Sequence, residues 1–197
     1  MDAANWTIYR DYWDNHARNV GPEHAVTHMN QQAYTDYYRP ILKVVAPAKV
    51  GTILDIGCGA GMLVPLVHEL WPDATYAGID ISPVMVAFCK EHHPECHFGG
   101  LDDSPGKVDF IIMHSVITHT TVEDAELHLD GIAEHLLPDG RASISIHTNP
   151  ANGAPVTGDI HRVDYAPAYF ESLLAAHGLR VYGYVDGIQR YYSVGVK

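Results

Sequence analysis

Long hydrophobic runs are missing from this chain of 197 residues, which leaves no stretch able to cross a bilayer as a helix. Cysteine is scarce as well: the three, at positions 58, 89 and 96, form no C-x-x-C pair. Such sparse, odd usage fits a reducing compartment and no disulfide framework. The N-terminal stretch lacks the charged, apolar and small-residue succession of a secretory signal, so a cytoplasmic location is expected. Positive charge is short too. Twelve Lys and Arg face 24 Asp and Glu, a formal net charge of −12. That surface repels a phosphate backbone, which argues against DNA or RNA as a partner. The chain is expected to be a monomer or homodimer with no membrane association. Histidine is the counterweight: with 14 of them, the true charge shifts considerably between about pH 6 and 7.5.

Two glycine-loop motifs are absent in an instructive way. Leu54-Asp55-Ile56-Gly57-Cys58-Gly59-Ala60-Gly61 follows the apolar run Thr52 to Ile56, which reads as a buried parallel strand. A dinucleotide fingerprint would need its third glycine at 62, where Met62 stands, and no Gly-Lys-Ser/Thr follows for a nucleoside triphosphate. What remains is strand, glycine turn, then Met62-Leu63-Val64, Leu66, Val67 and Leu70 at helical spacing. Glycines at such a turn admit positive φ and let a ligand lie against bare main chain. The helix behind them offers unpaired N–H groups.

Roughly twenty residues on, Ala74 to Asp80 reads as a second strand ending in an acid, the place from which a carboxylate can accept from both ribose hydroxyls of a nucleoside. Ser82-Pro83 supplies an N-cap and first helical residue for a helix through His92. Cys96-His97-Phe98 and Lys107 to His114 read as third and fourth strands. The motif E/D-x-G-x-G-x-G resembles motif I of the class I S-adenosylmethionine-dependent methyltransferases. Gly78-Ile79-Asp80-Ile81-Ser82, Asp109 on strand four, Ser115-Val116-Ile117-Thr118-His119, and Leu136-Leu137-Pro138-Asp139-Gly140-Arg141 before a fifth strand to His147 match the same family in order. The resemblance covers about residues 50 to 197.

That resemblance implies a Rossmann-like, doubly wound α/β fold with a seven-stranded sheet in the order 3-2-1-4-5-7-6, its last strand antiparallel. A single domain over residues 1–197 is expected, with a helical cap at 1–48 and the cofactor-binding core at 49–197. Within the cap, Trp6, Tyr9 and Trp13 share a face, a second helix runs from Gly21-Pro22 through His24, His28 and Gln31, and a third carries Tyr34, Tyr37, Tyr38 and Ile41-Leu42. Residues 136–141 read as a turn and 148–164 as an extended loop rich in Gly, Pro and Asn. Ala168 to His177 is a helix with Gly178 after it, and Leu179 to Val185 and Gln189 to Val196 form a terminal hairpin.

The implied cofactor is S-adenosylmethionine, released as S-adenosylhomocysteine, held by Asp55, Gly57, Cys58, Gly59, Asp80, Ile81, Leu101, Asp102 and His114. In Gly99-Gly100-Leu101-Asp102-Asp103 the acid is displaced from the family's Gly-Asp-Ala pattern; Asp102 is preferred to Asp103 for the adenine amino group. Methyl transfer from a sulfonium needs alignment and dryness, and a base only when the nucleophile starts protonated. His119 and His147 are the candidate bases, weighed against ordinary hydrogen-bonded structural roles. Tyr9, Tyr12, Trp13 and His28 are candidates to line the acceptor, against plain packing of the cap. Glu91 to His97 has no recognised zinc spacing and reads as a solvated turn, so no metal is expected. The expected activity is methyl transfer to O, N or C of a small acceptor, aromatic or heterocyclic. The alternatives are a non-methylating binder of the same cofactor and a methyltransferase acting on protein or peptide.

Overall fold

The computed structural model describes residues 3–103, 105–149, 156–157 and 162–197, which form two compact units: Met1–Pro40 with Gly51–Pro105, and Ile41–Val50 with Gly106–Lys197. Among the described residues, no helix is long and apolar enough to cross a membrane.

The first unit holds α1 (Ala3–Val20), α2 (Pro22–Val26) and the part of α3 (Gln31–Val45) up to Pro40. It also holds β1 (Thr52–Ile56), α4 (Val64–Leu70), β2 (Thr75–Ile79), α5 (Pro83–His92) and β3 (His97–Gly99). Its three strands are parallel in the order β3-β2-β1, with Leu54 opposite Ala77 and Gly78 opposite Phe98. Ile53 to Ile56 are buried without alternation, as expected of a parallel strand covered on both faces. Ala17 and Ala25 pack with Ala60, Met62 and Met85, flanked by Tyr34, Val84 and Phe88. The helical segment therefore buries its apolar stripe on the glycine turn and α5.

The second cap helix is shorter than its sequence pattern suggests. It stops at Val26, because Thr27 is extended at φ −163° and ψ 156° and its hydroxyl accepts from the Met29 N–H. Asn30 then takes the Ala33 N–H at 2.9 Å, the local bond that makes Asn a helix starter. His28 consequently lies in a link and Gln31 opens α3.

The second unit contains β4 (Val108–Met113), a 3-10 turn (Ile117–His119), α6 (Val122–His135), β5 (Leu136–Thr148), β6 (Val156–Thr157), β7 (Val163–Tyr165), α7 (Pro167–Ala176), β8 (Leu179–Asp186) and β9 (Arg190–Val196). β4 and β5 are parallel, β9 runs antiparallel to β5, and β8 antiparallel to β9. Strands four, five, last and last-but-one thus follow in the expected order. The described strands number nine rather than seven, because β6 and β7 form within the segment expected to be loop. β7 pairs parallel with the end of β5, Asp164 opposite His147.

The expected turn at 136–141 is instead an irregularity inside β5. Val108 and Phe110 face Leu136 and Arg141, so the extra residues bulge out and expose Pro138 and Asp139. Gly140 is needed there: a Cβ would lie 2.9 Å from the Asp109 carbonyl and 3.0 Å from that of Leu137. On β8 every second residue faces outward, and the exposed rings of Tyr182 and Tyr184 are covered by guanidinium groups. Arg141 lies 3.5 Å and Arg180 4.8 Å from the Tyr182 ring, and Arg190 lies 4.0 Å from that of Tyr184.

Candidate functional site

In the first unit the chain leaves β1 through Gly57, Gly59 and Gly61, at φ 71°, 53° and 70°. This left-handed backbone at alternate residues is why glycine recurs there. The Gly57 and Cys58 N–H groups both donate to the Ile79 carbonyl, at 2.8 and 3.1 Å, tying the turn to the end of β2. Asp80 completes the link. Its Oδ2 accepts from the Gly59 N–H at 2.9 Å and its Oδ1 from the Ser82 N–H at 2.8 Å. Burial raises its pKa, while these backbone donors pull it back down. Ser82 caps α5 by accepting from the Met85 N–H at 3.2 Å. Its hydroxyl donates to Asp14 of α1, whose carboxylate also takes the Val84 N–H at 3.4 Å.

A cleft of about 320 Å³ opens beside Asp80, lined by Ile81, Pro83, Val86, Ala87, Lys90 and Gly100. Asp80 and Ile81 thus share one cavity with the end of β3. Leu101 is half-buried and Asp102 exposed just beyond it. Asp103 turns back instead and accepts from the Gly100 N–H at 2.9 Å. Val26 of α2 lies across the glycine turn, its Cγ1 2.4 Å from where a Cβ on Gly59 would stand. Of the cap candidates, Tyr9 is buried and meets Trp6 edge-on at 6.3 Å. Tyr12 and Trp13 are half-buried and cluster with His16, Tyr12 stacked on it at 5.9 Å. His28 is exposed.

Asp55 is buried, its Oδ2 accepting from the Tyr76 hydroxyl at 2.6 Å. Burial raises its pKa to about 7; the Tyr76 bond lowers it and Asp80 raises it further. A folded-state pKa above the unfolded one, for an acid, means that the native protein keeps a proton the unfolded chain has shed. This contribution to stability is present below about pH 4 and is lost as pH rises to about 7. Asp55→Asn keeps an acceptor for Tyr76 without the charge. Its melting temperature should exceed that of the parent at pH 8 and match it near pH 4, with a ceiling on the order of 4 kcal/mol. No gain at pH 8 would refute the charge cost.

The second unit carries a polar cluster after β4 and β5. His114 is buried, with Nε2 2.7 Å from the Ser143 hydroxyl and the ring edge-on to Tyr191. Burial lowers its pKa to about 3, so it stays neutral. Ser115 takes φ 59°, a conformation non-glycine residues seldom adopt, and its N–H donates to Ser145 Oγ at 2.8 Å. Ser145 donates in turn to the Gln189 carbonyl oxygen. The Gln189 amide donates to Ser115 Oγ at 2.9 Å and to His147 Nε2 at 3.2 Å. That donor leaves Nδ1 as the protonated nitrogen of neutral His147. Burial first, then Arg162, lowers the His147 pKa, against Asp164. His119 closes the 3-10 turn, half-buried, its N–H donating to the Val116 carbonyl.

Gly57, Cys58, Gly59, Asp80 and Ile81 therefore meet at one turn and one cleft, and the cap candidates Tyr9, Tyr12, Trp13 and His28 do not line that cleft. In the second unit His147 belongs to the Ser115–Ser145–Gln189 cluster, while His114 is bonded to Ser143. Sequence reasoning missed Asp14, Ser115, Ser145 and Gln189. The one local signal was that Ser115 opens the Ser115-Val116-Ile117-Thr118-His119 segment.

A family model described as a methyltransferase domain matches residues 54–142. Malonyl-[acyl-carrier protein] O-methyltransferase of Acetivibrio thermocellus is 46% identical over 39 residues, 20% of this chain and 14% of that protein. Trans-aconitate 2-methyltransferase of Escherichia coli is 40% identical over 52 residues, 25% of this chain and 21% of that protein. The matches span under a quarter of those relatives' length. Among solved structures, a mitomycin 7-O-methyltransferase superposes with a TM-score of 0.77 at 16% identity, over 100% of this chain and 62% of that one. Magnesium protoporphyrin IX methyltransferase from Synechocystis PCC 6803, with bound S-adenosylmethionine, gives 0.66 at 21% identity, over 96% of each chain. These likenesses establish a Rossmann-like α/β fold.

Proposed function

We propose, from the premise that this chain carries a class I S-adenosylmethionine-dependent methyltransferase domain, that it binds S-adenosylmethionine and methylates a small-molecule acceptor. The observation that carries this reading is the carboxylate of Asp80, held by the Gly59 and Ser82 N–H groups at the head of a cleft. A carboxylate offers about four acceptor sites, so with the Gly59, Ser82 and Ile81 N–H groups on it one is left for a ribose hydroxyl. The turn fits beside it, because its glycines hold the left-handed backbone that brings the Gly59 N–H onto Asp80.

When bound, the sulfonium supplies an electrophilic methyl group attached to an excellent leaving group. The protein's own contribution is placement. Asp80 takes the ribose, Ile81 and Leu101 flank the adenine, and Asp102 takes its amino group. Gly57, Cys58 and Gly59 lay bare backbone against the amino-acid portion, and Asp55 faces its ammonium. A cation there would offset the buried charge on Asp55. His119 serves as the base for a protonated acceptor, and His147, fixed by Gln189, orients that acceptor. His114, bonded to Ser143, acts on the cofactor side only as a neutral group. Tyr9, Tyr12, Trp13 and His28 are assigned to the acceptor. The ring cluster of Tyr12, Trp13 and His16 favours an aromatic or heterocyclic one. The chain acts in the cytoplasm, away from nucleic acid.

Asp80→Ala should weaken S-adenosylhomocysteine binding about 10- to 150-fold, from the loss of charge-assisted hydrogen bonds worth about 1.5–3 kcal/mol. Calorimetry on a folded variant with unchanged affinity would overturn the assignment. Transfer of labelled methyl into a metabolite extract then separates a transferase from a mere binder.

A further inference from the structure

His68, Glu95 and Cys96 bring three different metal-binding atoms together on the first unit, away from the cleft. His68 sits in the last turn of α4, and Glu95 and Cys96 in the connection from α5 to β3. Their ligand atoms all lie within 4.8 Å of one another. Cys96 Sγ is 3.7 Å from His68 Nε2 and 3.8 Å from Glu95 Oε1. In a tetrahedral zinc site, with bonds of about 2.3 Å to sulfur and 2.0–2.1 Å to nitrogen or oxygen, such pairs stand roughly 3.5 Å apart. The two pairs that share Cys96 are therefore within a few tenths of an ångström of a coordination edge, and His68 and Glu95 stand no more than 4.8 Å apart. We propose that His68, Glu95 and Cys96 form a binding site for a divalent transition metal of the zinc class.

The chemistry selects the ion. A thiolate and an imidazole favour zinc or cobalt over magnesium or calcium, which prefer oxygen alone. Thiolate and carboxylate together balance a charge of +2. The backbone is set for it: the Cys96 N–H donates to the His93 carbonyl at 3.0 Å, closing the turn that presents both residues. His93, its Nδ1 3.9 Å from Glu95 Oε1, can orient the carboxylate. A water takes the fourth position. None of His68, Glu95 and Cys96 lines the cleft, so the ion braces α4 against the α5–β3 connection and does no chemistry on the cofactor. The segment 91–97 reads as a solvated turn in sequence because its partner, His68, lies 28 residues away.

Cobalt(II) titrated into the chelator-treated full chain, free of any histidine tag, should give thiolate-to-metal charge-transfer absorption in the near ultraviolet and the strong visible bands of four-coordinate cobalt. Both should saturate at one equivalent and be displaced by zinc. Cys96→Ser should abolish the charge-transfer band, and His68→Gln should weaken binding at least tenfold. Zinc should raise the melting temperature of the parent but of neither variant. Absence of the band in the parent, its persistence in Cys96→Ser, or unaltered affinity in His68→Gln would each overturn the site. None of these readouts depends on methyl transfer.

Discussion

Gly59→Val should lower affinity for S-adenosylhomocysteine at least about 100-fold, a loss of ~2.7 kcal/mol, while leaving the sheet assembled. Two independent costs fall on the same atom. Gly59 holds φ at 53°, where a β-branched residue is strained by about 1–3 kcal/mol. A Cβ would also lie 2.4 Å from Val26 Cγ1, forcing α2 off the turn or the turn away from Asp80. Either movement breaks the bond from the Gly59 N–H that positions the Asp80 carboxylate. Calorimetry gives the affinity and circular dichroism the fold. Native affinity in the folded variant would show that the ligand does not meet this backbone.

His119→Ala should lower kcat by about 10²- to 10⁴-fold, the usual worth of a general base, with cofactor affinity little changed. The rate of the parent should fall in acid as the base is protonated. His119→Gln keeps a hydrogen bond but cannot take up the proton, so it should be almost as slow. Rescue by glutamine, with the alanine variant chiefly lowering the melting temperature, would instead make His119 a clasp of the 3-10 turn. His147 should behave differently: because Gln189 already donates to its Nε2, its removal should act mainly on KM.

What could be read directly from the sequence was whatever is decided within a few residues. The glycine turn, the strand that ends in Asp80 and the Ser82 cap of α5 are local, since backbone angle, burial pattern and capping are set by near neighbours. Errors arose where a nearby side chain broke a periodic pattern. Thr27 and Asn30 stop and restart the helix expected from Gly21-Pro22 through His28 to Gln31, and the bulge around Gly140 turns an apparent turn into strand. The remaining site residues were invisible for a different reason. Asp14 reaches Ser82 and Gln189 reaches His147 across long stretches of chain, and neither lies in a pattern that announces a role. Distance along the chain, not subtlety of chemistry, separates the two groups.

The arginines laid over β8 have a consequence for behaviour in acid. Among the described strands β8 pairs only with β9, so no described strand covers its other edge. At neutral pH the net charge of −12 keeps molecules apart, but with a sequence pI near 5.5 that repulsion vanishes as the histidines gain protons. Guanidinium groups do not titrate in this range. Two edges meeting near the isoelectric point would have to bring Arg180 up to its counterpart and strip it from the Tyr182 ring, whereas Arg190 on β9 is already paired with Asp186. Association through this strand is therefore opposed by a positive charge that stays fixed as the histidines titrate.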